Sequence, residues 1–124
     1  MIEALLQSCR VDCIGGFVAY WNDSPLYPSD PEAMFRKAIA VLIAPDERVL
    51  VCPVDLTGKS EPGAFRYIPR YQFSSRSTGA LFFKGCYFSI GEGDLQGSYQ
   101  ISSDFIKNQR FPNERAYTKF LLNR

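Results

Sequence analysis

The side chains that carry most protein chemistry are thinly spread in this chain of 124 residues, and histidine is absent from it. Without imidazole there is no Ser-His-Asp or Cys-His activation, no two-histidine metal site and no histidine acid–base catalysis. Carboxylates, Lys, Tyr, Arg and thiols remain. Asp55 with Glu61, and Glu92 with Asp94, are the carboxylate pairs that could act together. Such a pair serves as acid and base only where its surroundings drive the two pKa values apart. No neighbouring residue promises that, so both pairs are expected on the solvated surface.

Gly91-Glu92-Gly93-Asp94 mixes acids and glycines as a calcium loop does, yet holds only two carboxylates. Calcium takes roughly six to eight oxygens at a regular spacing, and the segment reads as a turn. Thr57-Gly58-Lys59-Ser60 ends like a phosphate-binding loop. The glycine that should open that motif is replaced by Pro53, and Glu61-Pro62-Gly63 cannot start the helix that must follow. Cys9 and Cys13 lack the second cysteine pair or the histidines of a zinc site. Cys52 and Cys86 stand in apolar, strand-like runs where a thiol behaves as a small hydrophobe. All four cysteines are expected to be reduced. These motifs call for no catalytic residue, no metal and no cofactor.

Binding surfaces are better represented. Phe65-Arg66-Tyr67-Ile68-Pro69-Arg70-Tyr71-Gln72-Phe73, followed by Arg76, interleaves aromatics with cations as single-strand nucleic-acid binders do. The alternation puts rings and guanidinium groups on opposite faces, which predicts aromatics inward and arginines outward. Trp21 beside Tyr20, ahead of a proline-rich loop, suits a protein-interface hot spot. With Asp23, Leu26, Tyr27 and Asp30 these two residues would form one patch.

The elements that must position these groups follow from pattern. Ile2 to Cys9 predicts a short helix, and Val11 to Trp21 a strand bent or bulged at Gly15-Gly16. Asn22 to Pro31 is loop, with Leu26 and Tyr27 as a candidate plug. Glu32 to Ala44 fits either a helix or, better, one helical turn at Pro31 to Phe35 followed by a strand. That strand would pair with Arg48 to Val54 through Pro45-Asp46-Glu47. The cadence of this strand pair, Ala38 to Ala44 and Val49 to Pro53, resembles the opening hairpin of Nudix-type hydrolases. The family's glutamate-rich box has no counterpart here, so the resemblance carries no metal site across. Asp55 to Gly63 reads as loop, and Ala64 to Phe73 as a strand in which Pro69 points to an edge position or a bulge. Ser74 to Gly79 is a turn, Leu81 to Ile90 a central strand, and Gly97 to Ser102 its hairpin partner. Helices are expected around Ser103 to Arg110 and, after Pro112, from Asn113 onward, where Ala116, Tyr117, Phe120 and Leu121 make a stripe.

The fold expectation is α+β over residues 1–124 as one compact domain: a mainly antiparallel sheet of about six strands with short N-terminal and C-terminal helices. Hydrophobic residues make up 46% and charged residues 22%, enough for a self-sufficient core at this length. No apolar run nears the roughly 18 residues of a membrane span, and the first ten residues lack the basic start of a secretory signal. A cytoplasmic location is the expectation. Net charge is +1, divided as −4 over residues 1–62 and +5 over residues 63–124.

Taken together, the leading expectation is a small intracellular protein-binding module that occludes a protein partner, of inhibitor or immunity type. A nucleic-acid-binding β module using Arg66, Arg70, Arg76, Lys84 and Arg110 is the alternative. A histidine-free enzyme or small-ligand-binding domain, with its pocket inside the sheet, is a third.

Overall fold

Residues 2–21, 38–55, 63–75 and 85–123 are described by the computed structural model. Helix α1 (Ile2–Cys9) leads into β1 (Gly15–Trp21), then β2 (Ala38–Ile43) and β3 (Val49–Val54). β4 (Arg66–Tyr67) is followed by a single 3₁₀ turn at Arg70–Gln72, and then β5 (Phe73–Ser75), β6 (Tyr87–Ile90), β7 (Gly97–Ile106) and α2 (Glu114–Leu122). The strands form one antiparallel sheet of seven in the order β4-β3-β2-β1-β7-β6-β5, curled into a half-barrel. The α+β expectation holds, with one strand more than the sequence pattern suggested.

The β2–β3 hairpin forms as its spacing predicts. Ile43 pairs with Val49, Glu47 donates its N–H to the Ala44 carbonyl at 2.8 Å, and Ala44 donates to Arg48 at 2.9 Å. Glu47 takes the left-handed position of this three-residue loop, with φ 72°. Asp46 braces it from within, accepting from the Arg48 N–H at 3.2 Å. β2 is buried along its whole length, with Ile39, Val41 and Ile43 in one core cluster and Ala38, Ala40 and Leu42 in the other.

The two faces of the sheet are covered differently. One cluster joins Val49 and Val51 of β3 to Phe73 of β5, strands far apart in the sheet order, so this is the inner face of the curl. Phe17, Phe88, Tyr99, Phe111, Tyr117 and Leu121 fill it, and α2 supplies the last two. The outer cluster draws on Val18, Ala40, Leu42 and Cys52, closed by Ile2 and Leu5 of α1. α1 is tethered at its start, where Asp104 accepts from the Ile2 N–H at 3.2 Å. α2 starts because Asn113 accepts from the Ala116 N–H at 3.0 Å, a side-chain cap directly after Pro112.

Gly15-Gly16 opens β1 because neighbouring side chains come too close for a Cβ, an aromatic ring at Gly15 and a leucine at Gly16. A Cβ on Gly15 would lie 2.8 Å from the Phe111 ring, and one on Gly16 would lie 2.6 Å from Leu42 Cδ2. The register irregularity falls further along, between Phe17 and Ala19, opposite Phe105 and Ile101.

Two expected elements are corrected. Ala64 to Phe73 is not a continuous strand: Pro69 ends β4 and opens the 3₁₀ turn, since proline has no N–H for a ladder. The expected helix around Ser103 to Arg110 is strand as far as Ile106, because pairing with β1 outweighs local helical spacing. β6 is paired on both sides, by β7 and by the edge strand β5, as expected of a central strand. The expected loop with its Leu26–Tyr27 plug, the helical turn at Pro31 to Phe35, and residues 56–62, 76–80 and 81–84 lie outside the described residues.

Candidate functional site

Strand alternation separates the two neighbours that the sequence placed in one patch. Tyr20 packs with the outer cluster and Trp21 with the inner one, so they face opposite sides of β1. Both are half-buried. Asp23, Leu26, Tyr27 and Asp30 lie outside the described residues.

Trp21 instead helps to line a cavity of about 250 Å³ at the end of the curl where β1 finishes, β2 begins and β6 turns into β7. Ile39, Pro53, Asp94, Leu95 and Tyr99 complete most of its wall. Tyr99 is fixed by donating its hydroxyl to the Leu95 carbonyl at 2.7 Å. Burial, with Asp94 nearby, pushes the Tyr99 phenol up to about 12.

The basic set separates into two places. Arg66 lies on the inner-face side of β4, opposite Val51, and its guanidinium meets the Asp94 carboxylate at 2.9 Å. That contact, first through its hydrogen bond, holds the Asp94 carboxyl below its usual range. Arg70 and Arg110 both converge on Glu47, at 3.5 and 2.5 Å. Arg70 also stacks over the Phe120 ring, 3.6 Å from its centroid, and donates to the Glu47 and Asn123 carbonyls. The Arg110 hydrogen bond is the main reason that the Glu47 carboxyl titrates low. Arg76 and Lys84 lie outside the described residues. The described arginines of this set therefore hold the two hairpin turns against β4, the 3₁₀ turn and α2, each with a carboxylate in contact.

The expectation of aromatics inward and arginines outward is corrected along this segment. Phe73 is fully buried and Phe65 packs on the outer cluster, but Tyr67 and Tyr71 are 54% and 64% exposed. Alternation reveals which residues share a face and not whether that face is covered. Tyr67 stands on the edge strand β4 opposite Leu50 of the outer face, away from α1, whose main contacts are with β1 and β7, and Tyr71 lies in the 3₁₀ turn off the sheet. Tyr67 and Tyr71 are the exposed large hydrophobic side chains among the described residues.

The cysteines are all free thiols. Burial raises the Cys52 pKa, and its Sγ donates to the Gly63 carbonyl at 2.8 Å. Burial likewise raises that of Cys13. Among the described residues no group of three or more Cys, Asp or Glu side chains is placed to hold a metal ion, and no helix is long and apolar enough to cross a membrane. Comparison with protein-family models, with curated proteins and with solved structures returned no match.

Proposed function

We propose that this protein is a small protein-binding module that acts by occluding its partner, and that the edge carrying Tyr67 and Tyr71 is the contact surface. The observation that carries this reading is the exposure of those two rings on the short connection from β4 through the 3₁₀ turn. An exposed tyrosine offers a large, stiff, amphipathic contact at little cost in side-chain entropy, and Tyr and Arg are the residues that dominate protein interfaces. Arg66 and Arg70, interleaved with the tyrosines, are half-buried or held in place, which pre-organises the surface. An inhibitor or immunity-type role follows from occlusion as a mechanism that needs surface and no bond-making group.

A protein is a better fit than nucleic acid for the same edge. Nucleic-acid affinity comes mainly from cations free to displace counterions at phosphates. Arg66, Arg70 and Arg110 already hold carboxylates, and a phosphate would have to break those pairs.

The test is quantitative affinity purification from the native cell with the intact protein and with Tyr67→Ser/Tyr71→Ser, at low and high salt. The expected result is a protein enriched by the former and lost with the latter, while thermal melts of the two coincide. Enrichment that survives the double substitution would refute this surface, and recovery of nucleic acid that falls steeply with salt would replace the partner class.

A further inference from the structure

We propose that the cavity between Trp21 and the β6–β7 turn is a binding site for a small organic cation built on a single aromatic ring, an arylalkylamine in chemical class. Barrel mouths are a preferred place for ligand sites, where an apolar wall and a few polar groups converge. Here the wall is aromatic and aliphatic, from Trp21, Ile39, Pro53, Leu95 and Tyr99, and Asp94 stands at its rim. The volume of about 250 Å³ sets the size. An apolar cavity of roughly 150 Å³ takes benzene, so this one takes a ring with a short substituent.

The wall is set before any ligand arrives. Trp21 lies edge-on against Gly97, where an added Cβ would come within 2.9 Å of the indole Nε1 and 3.1 Å of Cδ1. Tyr99 stacks on Phe88 with centroids 5.6 Å apart, and its hydroxyl is held by the Leu95 carbonyl. A site with fixed side chains loses little entropy on binding.

The charge of the ligand follows from what surrounds the rim. Among the described residues, the charged side chain that lines this cavity is Asp94. Arg66 meets Asp94 through one carboxylate oxygen, Oδ2, and Asp94 is 74% exposed. With a carboxylate as the charged group of the lining, an ammonium group is favoured there over a carboxylate. The aromatic wall adds to this preference, because ring faces attract cations.

The chain has a single tryptophan, and it lines the site, so intrinsic fluorescence reports the cavity directly. Titration of the full-length protein with phenethylamine is expected to change Trp21 emission saturably. The isosteric 2-phenylethanol should bind more weakly, and 3-phenylpropionate more weakly still. Amide shifts in NMR spectra should concentrate at Leu95, Gln96 and Tyr99. Asp94→Asn should lower phenethylamine affinity about tenfold, the worth of one charge-assisted hydrogen bond. No saturable response to the amine, equal binding of the amine and the carboxylate, or shifts centred elsewhere would overturn the proposal. The comparison of the three ligands on the unaltered protein stands even if Asp94→Asn disturbs the turn. Loss of Tyr67 and Tyr71 leaves this site intact, so its fate is independent of the protein-binding surface.

Discussion

Replacing Tyr117 by Phe removes one oxygen atom, and the structure assigns that atom a defined task. Gly16 and Ile106 are register partners at the start of β1 and the end of β7. The Tyr117 hydroxyl accepts from the Gly16 N–H at 3.2 Å and donates to the Ile106 carbonyl, so it bridges the two strands where α2 crosses them. The ring itself is fully buried between Phe17, Phe105 and Phe111, with the Phe111 ring stacked at 4.9 Å. Phenylalanine preserves all of that packing, and only the polar bridge is lost. A buried donor and a buried acceptor left without partners cost about 1–3 kcal/mol each, and partial relaxation brings the expected total to about 2–3 kcal/mol. For a chain of this size that is a fall in Tm of about 8–12 °C. In urea the midpoint should drop by about 1–2 M at an unchanged slope. Paired denaturation curves of the two proteins make the measurement. A loss below about 0.5 kcal/mol would refute the reasoning, because it would mean that the strands satisfy each other directly once the hydroxyl is gone.

Two further outcomes are expected. Tyr99 has its pKa raised to about 12, first by burial. Its unfolded counterpart ionises near 10, so its contribution is complete below about pH 10 and is lost as pH rises towards 12. That amounts to on the order of 2–3 kcal/mol, and urea midpoints measured across this range should fall less steeply for Tyr99→Phe than for the intact protein. If the two profiles run parallel, the Tyr99 assignment is wrong. Among the arginines, Arg70→Ala should cost about 1–2 kcal/mol, because Arg70 bonds two carbonyls, meets Glu47 and covers the Phe120 ring. Arg66→Ala should cost under about 1 kcal/mol, since its contact with Asp94 is solvent-exposed. Equal melting temperatures for the two variants would contradict this ordering.

What could be read from the sequence was what local chemistry decides. Pro112 marks a break and α2 begins just after it; Pro45-Asp46-Glu47 marks a hairpin loop and β2 pairs with β3 across it. The stripe of Ala116, Tyr117, Phe120 and Leu121 does face the inner core. What stayed hidden depends on contacts distant in sequence. Residues 103–106 continue as strand because β1 is there to pair with them, and nothing local announces it. The same holds for the candidate site. Trp21 was singled out by residue type, but Tyr99 and Leu95 join it only because β7 returns antiparallel beside β1. Tyr67 and Tyr71 show a related limit: their spacing matches that of core residues, but Tyr67 falls on an edge strand and Tyr71 in the 3₁₀ turn, and both are exposed.

The two ends of the curled sheet show how that distant packing divides the molecule. Where β1 begins, Gly15 gives up its side chain so that Phe111 and Tyr117 can fill the space, and Asn108 donates to the Ile14 carbonyl across it. Where β1 finishes, Gly97 gives up its side chain in the same way to Trp21, yet the space beside that ring is left as a cavity. Both ends use glycine to admit an aromatic ring, and only one is filled by the described residues. A cavity is tolerated at a cost that rises with the volume left unfilled. The end that bears that cost also brings together the chain's single tryptophan and a carboxylate at the rim, and a ligand bound there would recover in contacts what the fold gives up in packing.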